Sequence, residues 1–135
     1  MVLLTDGHTD VHTAKTAICI LRYRPEQVVA LLDRPGAGKT CAELLGVGGS
    51  IPVVASLAEA PAGANTLTIG IAPAGGKIPA AWRPVILEAI GRGMNVVSGL
   101  HDFLKDDPEF AAAAHKHGVA LIDVRDNHES ECATR

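Results

Sequence analysis

Short, continuous apolar segments alternate with helix-patterned segments along almost the whole chain. Residues 28–32, for example, form an apolar run closed by Asp33, which is typical of a parallel strand covered on both faces. Before it, Ala14, Ala17, Ile18 and Leu21 recur at helical spacing. This alternation predicts a doubly wound, mostly parallel sheet of about five to six strands with helices on both faces, a Rossmann-like α/β fold.

The boundaries of the elements follow from breakers and caps. Thr13 is predicted to cap the first helix and Pro25 to follow its end, while Ser56 and Glu59 have the spacing of a capping box. Asp107 before a proline predicts the start of the last helix. The predicted strands are residues 2–5, 28–32, 51–54 (an edge strand, because it contains a proline), 67–72, 94–97 and 120–124. The predicted helices are residues 14–21, 40–45, a short one from 56, 80–92 and 108–117.

One domain is predicted over residues 1–125, and the polar residues 126–135 are interpreted as a tail or the start of a linker to an absent second domain. Hydrophobic residues make up 47% of the chain, enough for a buried core. The aromatic content of 3%, the net charge of −3 and the isoelectric point near 6.0 argue against a nucleic-acid-binding protein.

Neither a membrane span nor a signal peptide is predicted, so a cytoplasmic protein is expected, and a homo-oligomer stays open. Three cysteines without metal-ligand spacing predict neither a disulfide nor a zinc site. Two histidine pairs, His8 with His12 and His115 with His117, lack a third ligand, so no metal is predicted.

In an open parallel sheet, ligands bind beyond the carboxyl ends of the strands, where the strand order reverses. We call this side of the sheet the carboxyl edge. Four segments are predicted to lie there: the loop after the first strand, Asp33 with Arg34, residues 73–77 and residues 98–102.

The loop after the first strand leads into a helix, whose free N–H groups attract anions. Gly7, Thr13, Lys15 and Thr16 are candidate binding residues there, although the dinucleotide fingerprint and the P-loop pattern are both absent. An ordinary loop with a capped helix explains the same residues equally well.

Asp33 stands where nucleotide-binding folds keep an acid for the ribose hydroxyls. The alternative is that it caps the following turn. Residues 36–40 look like the end of a P-loop, but Asp33 stands where its first glycine belongs and would repel a phosphate, so a P-loop is not expected there.

Two further loops carry candidates. Gly75, Gly76 and Lys77 give a close-approach turn with a cation, or else meet only backbone constraints. After Gly99, His101 and Asp102 place an imidazole and a carboxylate side by side, a pair capable of acid/base catalysis.

Several of these segments together resemble a known family. Residues 15–17, 37–39, 70–77, 99–104 and 122–125 are similar to the N-terminal domain of the domain-of-unknown-function 1611 family, and the Gly-Leu-His-Asp-Phe-Leu run is the most specific match. The resemblance implies a Rossmann-like domain followed by a P-loop-containing partner domain. It also implies a relation to enzymes that N-acetylate D-glutamate from acetyl-CoA. Residues 46–99 are more distantly similar to the CoA-binding domain of succinyl-CoA ligase α chains, which implies a CoA or nucleotide ligand.

Three hypotheses for function follow. The leading one is a ligand-binding domain for a phosphate-bearing molecule, either acetyl-CoA, CoA or a nucleotide, that serves a larger enzyme. The second is an assembly module that docks the P-loop domain and binds no ligand. The third is a small autonomous enzyme that uses His101 and Asp102.

Overall fold

The computed structural model describes residues 1–7, 9, 13–60, 64–71, 78, 80–99 and 104–123. Six parallel strands in the order β3-β2-β1-β4-β5-β6 form its one sheet. The prediction of a doubly wound parallel sheet is therefore confirmed. The strands are β1 (Val2–Leu4), β2 (Ala30–Leu32), β3 (Val53–Val54), β4 (Thr66–Ile69), β5 (Asn95–Ser98) and β6 (Leu121–Asp123).

Within the described residues, four α-helices connect the strands. They are α1 (Lys15–Tyr23), α2 (Cys41–Leu45), α3 (Arg83–Gly91) and α4 (Pro108–His117). Every residue of β1 and β2 is buried, so both faces of the sheet are covered at its centre. The largest buried side chains include Trp82, directly before α3, and Phe110, within α4, and both join the same core as the strands.

Two helices are capped by residues close to them in sequence, and the cap of α4 is the one predicted. The side chain of Asp107 accepts N–H bonds at the start of α4, and Gly118 ends it at φ +68°. Thr40 and Glu43 form a capping box at α2, which ends at Gly46 with φ +74°. Pro52 lies directly before β3, at the edge of the sheet, as predicted.

Three predictions are wrong. The N-cap of α1 is Ala14 rather than Thr13, and no side chain caps that helix. Ser56 caps no backbone N–H group; its hydroxyl donates to the Glu59 carboxylate at 3.3 Å, and only one 3₁₀ turn, Leu57–Glu59, forms. Cys19 is disulfide-bonded, which overturns the expectation of unpaired cysteines, whereas Cys41 is free and buried.

Candidate functional site

The first helix begins at the point where the strand order reverses. The chain runs outward from β1 to β3 and then returns to β4 on the other side of β1. The N–H of Ala17, in the first turn of α1, donates to the carbonyl of Gly70 at 2.9 Å, immediately after β4. The start of α1 therefore lies over the crevice between β1 and β4, the usual ligand position in such sheets.

Gly70 permits this close approach. A Cβ atom at Gly70 would stand 2.9 Å from the Cβ of Ala17 and 3.0 Å from the Cγ2 of Thr5. In dinucleotide-binding folds a glycine on the helix provides such contact between helix and strand. Here the glycine is on the strand side instead, which explains how Ala17 is accommodated in α1.

Two residues at the start of α1 have polar groups available. Lys15 is exposed and Thr16 half-buried, and no hydrogen bond within the described ranges engages the backbone N–H of either residue. The first N–H groups of a helix carry a partial positive charge. Together with the Lys15 ammonium group, they form an arrangement that suits an anion.

The loops after β1 and β2 are bound to each other by two reciprocal contacts. The Asp33 carboxylate accepts the N–H of Gly7 at 2.9 Å, and the Asp6 carboxylate accepts the N–H of Arg34 at 2.8 Å. Gly7 has φ +78°, a conformation that favours glycine. Each loop thus contributes one acid to the backbone of the other.

Arg34 completes this pair of loops. Its Nε and Nη2 donate to the second oxygen of Asp6 at 3.0 and 2.6 Å. The hydrogen bond and charge of Asp6 raise the pKa of the guanidinium above its ordinary value. The Arg34 side chain stays 58% exposed, whereas Asp6 is buried. The sequence analysis did not select Asp6, although an acid directly after an apolar run was a usable signal.

Trp82, the only tryptophan of the sequence, binds the backbone of the loop after β1. The indole N–H of Trp82 donates to the carbonyl of Asp6 at 2.9 Å, and the ring is 1% exposed. This bond links the turn before α3 with the end of β1. No short motif predicted it, since the partners are 76 residues apart.

A third carboxylate organises the far half of the carboxyl edge. Asp123, at the end of β6, accepts the N–H groups of Leu104 at 2.7 Å and of Lys105 at 3.3 Å. The carboxylate is 2% exposed. Sequence reasoning missed this residue as well. Gly99, a candidate binding residue, follows β5 and is half-buried.

The structure brings some of the candidate residues together. Gly7 and Asp33 are in contact, and Lys15, Thr16 and Thr13 lie at the start of α1. His101, Asp102 and the residues Gly75, Gly76 and Lys77 lie outside the described residues. Over the described ranges, no group of three or more metal-ligating side chains converges and no helix is long and apolar enough to span a membrane.

The strand order and the ligand-side loops define a Rossmann-like α/β domain. Residues 34–127 match the family described as "Domain of unknown function (DUF1611_N) Rossmann-like domain". This match covers more than half of the chain, so the chain belongs to that family. The family resemblance seen in the sequence is confirmed.

Two curated relatives carry the same name. The chain is 41% identical over 117 residues to a D-glutamate N-acetyltransferase of Tritonibacter scottomollicae, across 86% of this chain and 32% of the relative. It is 46% identical over 63 residues to a D-glutamate N-acetyltransferase of a Pseudoalteromonas species, across 47% of this chain and 19% of the relative. The chain thus spans about a third or less of the length of these relatives.

Two solved structures are similar in fold. A DUF1611 family protein from Anabaena variabilis superposes with a TM-score of 0.79 at 32% identity, over 96% of this chain and 37% of that one. A homoserine dehydrogenase from Thiobacillus denitrificans gives a TM-score of 0.55 at 21% identity, over 90% and 28% of the two chains. The second likeness bears on the fold alone.

Proposed function

We propose that this domain binds the CoA or nucleotide moiety of a substrate for a larger enzyme that resembles the D-glutamate N-acetyltransferases. The relatives of that name support the class of enzyme. In such an enzyme, the amine of D-glutamate attacks the thioester carbonyl of acetyl-CoA. The products are N-acetyl-D-glutamate, CoA and one proton.

The observation that carries this proposal is the position of α1. Its N-terminus lies at the reversal of strand order, with the N–H groups of Lys15 and Thr16 unengaged by the described residues. A diphosphate needs such donors, because its charge must be compensated when water is displaced. The domain would hold the phosphates while a partner domain presents the amine. Gly7 belongs to this binding set, and Gly75, Gly76, Lys77 and Gly99 are proposed as its remaining members.

We propose that His101 and Asp102 remove the proton from the amine of D-glutamate. The attacking amine must lose a proton, and an imidazole is a suitable proton acceptor. A carboxylate beside the imidazole would stabilise its charged form. Loss of activity in His101→Ala and in Asp102→Ala of the full-length enzyme, with unchanged CoA affinity, is the expected result.

Binding is tested first with the wild-type chain. Acetyl-CoA, CoA, NAD⁺, NADP⁺, ATP and inorganic phosphate are compared by thermal shift. A ligand at about 100 times its dissociation constant adds about 2.7 kcal/mol to the free energy of unfolding. The absence of a shift with every compound would contradict the proposal.

The site is then tested by titrating two variants with the ligand that gives the largest shift. Lys15→Ala should lose about 1.5–3 kcal/mol of binding free energy, roughly a tenfold to hundredfold loss, since a charge-assisted hydrogen bond disappears. His115→Ala is the matched control because His115 is exposed on α4. Equal affinities of Lys15→Ala and wild type would mean that the start of α1 is structural.

The second candidate is an assembly module that docks a P-loop partner domain. One observation favours it: the Ala17 N–H is already engaged by Gly70, and the Asp33 carboxylate by Gly7. This candidate predicts no thermal shift with any ligand but a stable complex with the separate C-terminal part of a full-length relative. The cytoplasmic location, the oligomeric state and the boundary at residues 125–126 stay predictions.

A further inference from the structure

We propose that Arg34 forms a subsite at the end of β2 for a monophosphate group on the ribose of the bound nucleotide. The ligand class is therefore a 2′- or 3′-phosphorylated nucleotide, such as CoA or NADP⁺, in preference to dephospho-CoA or NAD⁺. This inference rests on the proposed function, because it assigns a part of the same ligand.

Asp33 is the acid that would otherwise recognise the ribose. In nucleotide-binding folds, an acid at the end of the second strand accepts hydrogen bonds from free ribose hydroxyls. Here the Asp33 carboxylate is directed to Gly7, 2.9 Å from its N–H, and the residue is only 3% exposed. A ribose at this edge would meet very little of the Asp33 carboxylate.

Arg34 is the residue that is exposed there instead. Arg34 follows Asp33 directly, and its side chain is 58% exposed. Nη1 makes no hydrogen bond within the described ranges, while Nε and Nη2 contact Asp6. A guanidinium group binds phosphate oxygens through paired N–H donors, and an arginine near this strand end is the usual partner of a ribose phosphate.

The side chain of Arg34 is preorganised for binding. Asp6 accepts both the backbone N–H and the side chain of Arg34, so the guanidinium group is held in place. A fixed donor loses less conformational entropy when a ligand binds. Asp6 is 5% exposed, and Asp6 and Asp33 each have one carboxylate oxygen bound to a backbone N–H, while the second oxygen of Asp6 accepts the guanidinium. Among the described side chains of this acid–arginine cluster, the Arg34 cation is therefore the one that solvent and ligand meet.

The test compares pairs of ligands that differ by one phosphate. Calorimetric titration of the wild-type chain should give at least tenfold tighter binding of CoA than of dephospho-CoA. NADP⁺ against NAD⁺ shows whether the 2′ position is accepted as well. Arg34→Gln keeps an N–H donor for Asp6. In this variant the ratio of the affinities for CoA and dephospho-CoA should fall to about one, and the affinity for dephospho-CoA should stay unchanged.

Two further variants make the result specific. Arg34→Lys keeps a positive charge without the paired donors. It should therefore retain only part of the preference for CoA over dephospho-CoA. Arg92→Gln is the control, because Arg92 is a partly exposed arginine (46%, against 58% for Arg34) that pairs with Glu88 on α3. It should leave the ratio of affinities as in wild type.

The outcomes separate this inference from the proposed function. If dephospho-CoA and CoA bind with equal affinity, the Arg34 subsite is wrong and the proposed function stands. The subsite is also overturned if the preference for CoA over dephospho-CoA persists in Arg34→Gln, or if this variant weakens the binding of both ligands equally. Failure of every nucleotide to bind wild type would refute the proposed function and the subsite with it.

Discussion

Three acids at the carboxyl edge, Asp6, Asp33 and Asp123, are nearly inaccessible to solvent and accept backbone N–H groups of neighbouring loops. A buried carboxylate is tolerated only when its oxygens are hydrogen-bonded. Each acid therefore fixes a loop at the same time as the loop stabilises the acid. The positions of the ligand-side loops depend on these residues.

Asp33→Ala should destabilise the chain. The substitution leaves the Gly7 N–H without its acceptor, so we expect the free energy of unfolding to fall by about 1–3 kcal/mol in urea denaturation. Asp33→Asn retains a side-chain oxygen for the same N–H and should lose less. Equal losses in both variants would show that charge, not the hydrogen bond, is the important property.

Asp107 predicts a dependence of stability on pH. Hydrogen bonds from Arg83, at 2.8 and 2.9 Å, lower its pKa from 3.8 to about 2. Because the folded-state pKa is below the unfolded one, the stabilisation is complete above about pH 4 and is lost as the pH falls towards about 2. Urea denaturation over this pH range should show that the free energy of unfolding decreases less steeply with falling pH in Asp107→Asn than in wild type. Identical slopes would contradict the assignment.

At the scale of the elements, close packing at single glycines sets how α1 and β4 approach each other. Gly70→Ala would place a methyl group 2.9 Å from the Cβ of Ala17, and we expect it to cost about 1–3 kcal/mol by overpacking. Gly91→Ala is the matched control. Gly91 ends α3 with no atom within 4 Å of the added Cβ, so this substitution should be neutral or stabilise by about 0.5–1 kcal/mol. Thermal unfolding of both variants measures the difference.

The Asp107 cap of α4 formed as predicted, α2 has a local capping box that was not predicted, and α1 lacks a side-chain cap. The first two depend on residues within one turn, which a sequence pattern contains. The start of α1 is determined instead by Gly70, more than fifty positions away in the chain. Contact with β4 replaces the cap, and this contact was not available to sequence reasoning.

At the scale of the whole molecule, burial decreases from the central strands to the edge strand β6, whereas the opposite edge strand, β3, stays buried. Leu3 in β1 is fully buried, whereas Ile122 in β6 is 39% exposed. Leu3→Ala should cost about 2–5 kcal/mol, because it removes methyl groups from a packed core. Ile122→Ala should cost less than about 1 kcal/mol. Guanidinium denaturation of the two variants checks this ranking, and similar losses would contradict the assigned sheet order.

The sequence by itself determined the α/β class, the parallel sheet and most helix ends, because apolar periodicity and caps report the burial of each element locally. Strand ends were less certain: the strand predicted at residues 28–32 is Ala30–Leu32. Only the tertiary structure decided that Asp33 binds Gly7 and Asp6 binds Arg34, partners 26 and 28 residues apart. Such contacts depend on which strands lie side by side and in which register, and no local pattern of residues contains that information.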